Sequence, residues 1–179
     1  MIIWITGLSG AGKTTLCEAI AKVAKPGMPH LVTVDGDVIR DLFGNDLDYS
    51  EKSRIVQIGR IQRVAKFLNA QGMVVLVAAL YANPDLLRWN RANLAPYFEV
   101  YLDAPLELVQ ARDAKGIYAR AARGEAGEVV GMDIRWQAPQ SPDLRFDCAA
   151  GATPDRMARE VIAAVPVLAA AVAAAEAGR

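Results

Sequence analysis

Histidine is almost absent from this chain: His30 stands alone among 179 residues. Cysteine is nearly as scarce, with Cys17 and Cys148 far apart, so no Cys/His cluster exists to hold zinc. The two thiols are read as free or buried, which implies a reducing compartment. Charge of one sign is also lacking. The 20 basic and 20 acidic residues cancel, leaving no net field to recruit nucleic acid or an anionic membrane, and neither is expected as a partner. Long apolar runs are missing too. The N-terminal run is only a strand long and is not read as a signal peptide. The apolar tail from Val161 to Ala175 is Ala-rich, broken by Pro166 and too short for a span; it is expected to pack as a terminal helix starting near Thr153. A cytoplasmic protein is expected. There is no internal repeat and no linker, and 53% hydrophobic with 22% charged residues is a globular balance, so residues 1–179 are read as one domain.

What is present begins at Gly7. Gly7-Leu8-Ser9-Gly10-Ala11-Gly12-Lys13-Thr14 fills the pattern G-x-x-x-x-G-K-[ST], a phosphate-binding loop. The glycines let the backbone curl so that N–H groups point inward at a phosphate. Lys13 is placed to reach the β- and γ-phosphates, and the Thr14 hydroxyl to ligate Mg²⁺. The bare pattern arises by chance in roughly one chain in a hundred of this length. Its context removes most of that chance: residues 1–6 read as a buried strand feeding the loop, and Thr15 to Lys25 as the helix leaving it, with Leu16, Ala19, Ile20 and Val23 at helical spacing. The helix presents the positive end of its dipole to the same anion. A nucleoside triphosphate is the expected ligand, with Gly7, Ser9, Gly10, Ala11, Gly12, Lys13, Thr14 and Thr15 as its binding residues.

Strand-like and helix-like segments alternate along the rest of the chain. Leu31 to Val34 is a second strand ending at Asp35. Ser50 to Ala70 is an amphipathic helix with Ser50 as N-cap, closed by Gly72. Met73 to Ala79 is continuously apolar, as a strand covered on both faces should be. Pro84 to Asn93 reads as helix, Phe98 to Leu102 as a fourth strand, Pro105 to Arg112 as helix, and Leu144 to Asp147 as a short fifth strand. The alternation predicts an α/β fold: a doubly wound, parallel five-stranded sheet with ligands at the C-terminal ends of its strands. Residues 113–140 break the rhythm with four glycines and weak periodicity. They are read as a surface excursion or, over a phosphate site, as a lid.

Asp35-Gly36-Asp37 follows the second strand and therefore lies at the same sheet edge as the phosphate loop. Such a triplet is common turn chemistry. Beside a phosphate loop it is also a carboxylate pair, Asp35 arranging Mg²⁺ through water and Asp37 accepting a hydrogen bond from an acceptor hydroxyl. Together with Lys13 these are the candidate catalytic residues. The Asn-Lys-x-Asp motif that usually specifies guanine in GTPase switches is absent, which disfavours a GTPase; a kinase is expected, with a noncatalytic ATP-binding sensor as an alternative.

From Gly7 to about Leu144 the chain resembles adenylylsulfate (APS) kinases. The resemblance is carried by the loop through Thr15, by Asp35-Gly36-Asp37-Val38-Ile39-Arg40, by Arg54, and by Val64-Ala65-Lys66-Phe67. It continues through Asp103-Ala104-Pro105-Leu106-Glu107, Ala111 to Tyr118, Gly131-Met132-Asp133 and Ala138-Pro139. It implies ATP with Mg²⁺ as donor and the ribose 3′-hydroxyl of adenosine 5′-phosphosulfate as acceptor. It assigns Arg40 and Arg54 to the acceptor's anionic group, Tyr49, Gln57 and Lys115 to the acceptor pocket, and Arg112 to the nucleotide phosphates. Related kinases are often dimers, so a homodimer is an open expectation. The departures fall in the acceptor pocket. Gln57 replaces an asparagine, Val129 and Val130 stand where an aromatic ring is usual, and Tyr81 takes the place of a serine. A related branch phosphorylates cytidine diphosphoramidate, whose smaller base tolerates valine there; that acceptor is the alternative.

Overall fold

A computed structural model of the chain describes residues 1–80, 83–113 and 115–178. Five strands form one parallel sheet: β1 (Ile2–Gly7), β2 (Leu31–Asp35), β3 (Val74–Ala79), β4 (Tyr97–Asp103) and β5 (Leu144–Asp147), in the order β2-β3-β1-β4-β5. The chain leaves β1 toward β2 and β3 on one flank and returns on the other through β4 and β5. The loop after β1 therefore sits at the reversal point, where open α/β sheets leave a crevice for ligands.

Every residue of β1 and β3 is buried, because helices cover both faces of the sheet. The helix α1 (Lys13–Ala24) packs with α7 (Pro154–Ala164) and α8 (Pro166–Ala177). Another layer is built by α3 (Glu51–Ala70), which lies on β3 and β1 with α4 (Pro84–Asn93) beside it. Trp4, Leu16, Ile20, Ile61, Leu76 and Leu102 are among the fully buried side chains between these layers. Short helices α2 (Gly36–Leu42), α5 (Leu106–Arg112) and α6 (Ile117–Ala122) stand near the C-terminal ends of the strands.

Most element boundaries fall within two residues of the sequence reading. Ser50 caps α3 as expected, its hydroxyl accepting from the Ser53 N–H at 3.3 Å. Three features differ. The Asp35-Gly36-Asp37 corner is not a free turn: Asp35 is the N-cap of α2, and Gly36 is already helical. Residues 117–122 form α6 inside the stretch read as irregular. The terminal helix is two helices, because Val165 takes extended backbone angles before Pro166 and the axis bends by 106°. No single helix among the described residues is long and apolar enough to cross a membrane.

Candidate functional site

The loop after β1 is fixed from behind. Gly7 has φ +156°, and a Cβ there would stand 2.6 Å from the Leu102 carbonyl of β4, so a side chain would push the loop off the sheet. Gly12 takes a left-handed conformation and starts α1, whose first residue is Lys13. The Lys13 ammonium crosses the loop and donates to the carbonyls of Gly7 at 2.9 Å and Leu8 at 2.8 Å. Burial, and then the neighbouring Lys115 cation, bring the Lys13 pKa down to about 8.

Asp35 links this loop to the second acidic residue. Its Oδ2 accepts from the Thr14 hydroxyl at 2.7 Å, and its Oδ1 accepts from the Asp37 N–H at 2.8 Å. The Asp37 carboxylate is ion-paired with Lys115, which approaches from residues 113–140. Thr14 and Asp35 thus offer adjacent hard oxygen donors. No cluster of three or more Asp, Glu, His or Cys exists among the described residues. That donor set fits Mg²⁺, which keeps several waters and draws further ligands from substrate phosphates rather than from an all-protein cage.

The same cavity of about 510 Å³ is also lined by Arg40, Tyr49, Arg54 and Gln57. Both guanidiniums lie over the Tyr49 ring, Arg40 at 4.6 Å and Arg54 at 5.6 Å from its centroid. Arg40 is buried and donates from one nitrogen to the Leu47 and Asp48 carbonyls at 2.7 and 3.2 Å, which holds residues 47–49 against α2. Arg54 donates to the Glu128 carbonyl at 2.7 Å, joining α3 to the glycine-rich segment. Gln57 is 6% exposed. Its amide NH₂ donates to the Gly36 carbonyl at 2.9 Å, which fixes the amide orientation, and its Oε1 has no hydrogen-bond partner.

Of the residues singled out from sequence, Ser9, Gly10, Gly12, Lys13, Thr14, Thr15, Asp35, Asp37, Arg40, Tyr49, Arg54, Gln57 and Lys115 line this one cavity. Gly7 and Ala11 lie behind it. Arg112 does not reach it: the last turn of α5 leaves that side chain exposed and outside the lining, whereas Arg120 of α6 does line it. Val129 and Val130 are buried and form part of the wall. Tyr81 lies outside the described residues. Sequence reasoning missed Asp113, Tyr118 and Glu128. The signal for the first two was present, since both belong to the block from Ala111 to Tyr118; nothing in the pattern marked Glu128.

A phosphate loop at the reversal point of a parallel sheet, sharing one cavity with an acidic pair and two arginines, defines a phosphate-loop kinase. The adenylylsulphate kinase family profile matches residues 1–147, and the chain belongs to that family. It is 38% identical over 141 residues to the cytidine diphosphoramidate kinase of Campylobacter jejuni, covering 78% of this chain and 82% of that protein. With the adenylyl-sulfate kinase of Paraburkholderia xenovorans it shares 39% identity over 144 residues, covering 80% of each. The structure of Mycobacterium tuberculosis APS kinase in complex with AMPPNP and APS superimposes with a TM-score of 0.83 at 34% identity, covering 91% of this chain and 95% of that one. The chain is therefore an ATP-dependent kinase that transfers phosphate to a hydroxyl group of a nucleotide, and the reading as a noncatalytic sensor falls away.

Proposed function

We propose that the acceptor is adenosine 5′-phosphosulfate, phosphorylated on its ribose 3′-hydroxyl with ATP as donor. One observation carries this reading: the phosphate loop, Asp37, Arg40 and Arg54 all line a single cavity, which supports donor phosphates on the loop and an acceptor anion on the arginines, within reach of one carboxylate. ATP phosphates lie against the loop, where backbone N–H groups and Lys13 stabilise charge on the transferring group. A phosphate beside Lys13 restores the charge that burial disfavours. Thr14 and, through water, Asp35 would hold Mg²⁺, which when bound would supply charge neutralisation for the ATP phosphates. Asp37 orients the acceptor hydroxyl toward the phosphoryl group. Positioning dominates because phosphoryl transfer has a loose transition state that needs little help from a strong base.

Arg40 and Arg54 hold the acceptor's anionic group by charge-assisted bonds, with Tyr49 stacking the pair in place. The unpartnered Gln57 Oε1 accepts from a donor on the same nucleotide, since a buried acceptor left without one is costly. Residues 113–140 act as the lid that carries Lys115 over the site and excludes water.

A second reading is favoured by the buried Val129 and Val130 and by the similarity to the Campylobacter enzyme: cytidine diphosphoramidate as acceptor. Aliphatic side chains give up ring stacking worth roughly 1 kcal/mol or more per base, a loss that weighs less on a smaller pyrimidine. An ADP-release assay across adenosine 5′-phosphosulfate, cytidine diphosphoramidate and simple nucleoside 5′-phosphates tests both. The highest kcat/KM is expected on the phosphosulfate; a higher value on the cytidine nucleotide transfers the assignment to the second reading.

A further inference from the structure

One contact between the glycine-rich segment and the phosphate loop has no part in the chemistry above. Tyr118, in the first turn of α6, is 4% exposed, and its hydroxyl donates to the Ser9 carbonyl at 3.1 Å, across 109 residues of chain. Asp113 holds Tyr118 in place: its Oδ1 accepts from the Tyr118 N–H at 3.2 Å and its Oδ2 from the Ala119 N–H at 2.8 Å. Gly116, the residue before α6, has no side chain to cap that helix, so Asp113 is its cap from outside.

The consequence follows from peptide planarity. The Ser9 C=O and the Gly10 N–H belong to one trans peptide and point in opposite directions. A hydroxyl that grips the carbonyl on one side therefore fixes where the N–H points on the other, and Gly10, at φ +78°, has little intrinsic preference that would do so instead. We propose that Tyr118 is a positioning residue for the phosphate loop, its hydroxyl holding the Ser9 carbonyl and thereby aiming the Gly10 N–H at the ATP phosphates. Because Tyr118 rides on the segment that also carries Lys115, ATP affinity and closure of that segment are coupled through one hydrogen bond. Burial, with the Asp113 carboxylate beside it, pushes the Tyr118 pKa up to about 12, so the hydroxyl stays a donor at working pH.

This inference rests on the reading of the cavity as an ATP site, and the test separates the two. Tyr118→Phe keeps the ring and deletes only the hydroxyl. Binding of AMPPNP by calorimetry is expected to weaken about three- to tenfold, the range of one neutral hydrogen bond. The acceptor KM stays within about twofold. Tyr97→Phe is the control, since the Tyr97 hydroxyl donates to Glu99 at 2.8 Å, away from the loop; it lowers the melting temperature and leaves AMPPNP affinity unchanged. AMPPNP is also expected to slow tryptic cleavage at Arg120 and Arg123 in the unaltered chain more than in Tyr118→Phe. Equal AMPPNP affinity in Tyr118→Phe and the unaltered chain overturns the proposal. Failure of the unaltered chain to bind AMPPNP at all would instead overturn the ATP site itself.

Discussion

Thr14 and Asp35, 21 residues apart, meet at 2.7 Å, and the same carboxylate caps α2 through its other oxygen. One side chain thus serves Thr14, the proposed Mg²⁺ ligand, and the helix that carries Asp37. The two duties separate by mutation. Asp35→Asn keeps a carbonyl oxygen for the Asp37 N–H and loses the negative charge beside Thr14. Turnover is expected to fall about 100-fold or more, as for removal of one preorganised electrostatic group, while stability stays within about 0.5 kcal/mol. Asp35→Ala loses both and costs about 1 kcal/mol besides. Steady-state kinetics with urea denaturation distinguishes the two; equal destabilisation by both variants contradicts the shared role.

Lys13 makes ATP binding a proton-linked event. With its folded pKa down to about 8, the free site at pH 8.5 holds a largely neutral lysine, and the arriving triphosphate favours the charged form. Binding should therefore take up a proton at pH 8.5 and progressively less below pH 7. Calorimetry in buffers of different ionisation enthalpy measures this directly. Lys13→Ala should abolish both uptake and turnover, and uptake that persists in that variant removes the assignment. The pH dependence of stability has the opposite sign: affinity falls as pH rises, but between about pH 8 and the unfolded lysine value near 10.4 the unfolded chain binds more protons, so this group makes stability rise with pH.

Asp37, proposed to orient the acceptor hydroxyl, is ion-paired with Lys115. Asp37→Asn keeps the size and loses the charge. A drop in kcat of about 100-fold or more is expected, within the range of general-base contributions, with ATP affinity changed less than about twofold. Near-normal turnover in this variant would refute the assignment.

Gly27 is where the C-terminal helix closes on the body of the fold. A Cβ there would stand 1.9 Å from the Ala171 carbonyl of α8, a backbone atom that cannot turn aside. Gly27→Ala should cost about 1–3 kcal/mol through overpacking, read as a lower urea midpoint, and leave KM for both substrates unchanged. A neutral result would mean that α8 is free to shift.

The sheet and the phosphate side of the site were legible because they rest on local patterns. Ile2 to Gly7 and Val74 to Ala79 are apolar runs of strand length, and the loop between Gly7 and Thr14 has a fixed spacing. What was not legible depends on contacts across the fold. Nothing local shows that Asp35 caps α2, because Asp-Gly-Asp suits a turn equally well until Thr14 claims the other oxygen. The resemblance assigns Arg112 to the nucleotide phosphates, but the directions of α5 and α6 place Arg120, not Arg112, on the cavity. Tyr118 closes the block that begins at Ala111, and nothing local there shows its bond to Ser9, 109 residues away. The break at Val165 was hinted by Pro166, which a helix tolerates at its first turn, where it now begins α8.

Transfer of labelled phosphate shows whether the acceptor's ribose 3′-hydroxyl receives the γ-phosphoryl group. The chain is incubated with ATP labelled at the γ-position and either adenosine 5′-phosphosulfate or its 3′-deoxy analogue, and nucleotides are separated. One labelled 3′-phosphorylated nucleotide per ADP formed is expected with the first acceptor and no labelled nucleotide with the second. ADP release without labelled nucleotide, or equal labelling of the 3′-deoxy analogue, would contradict it.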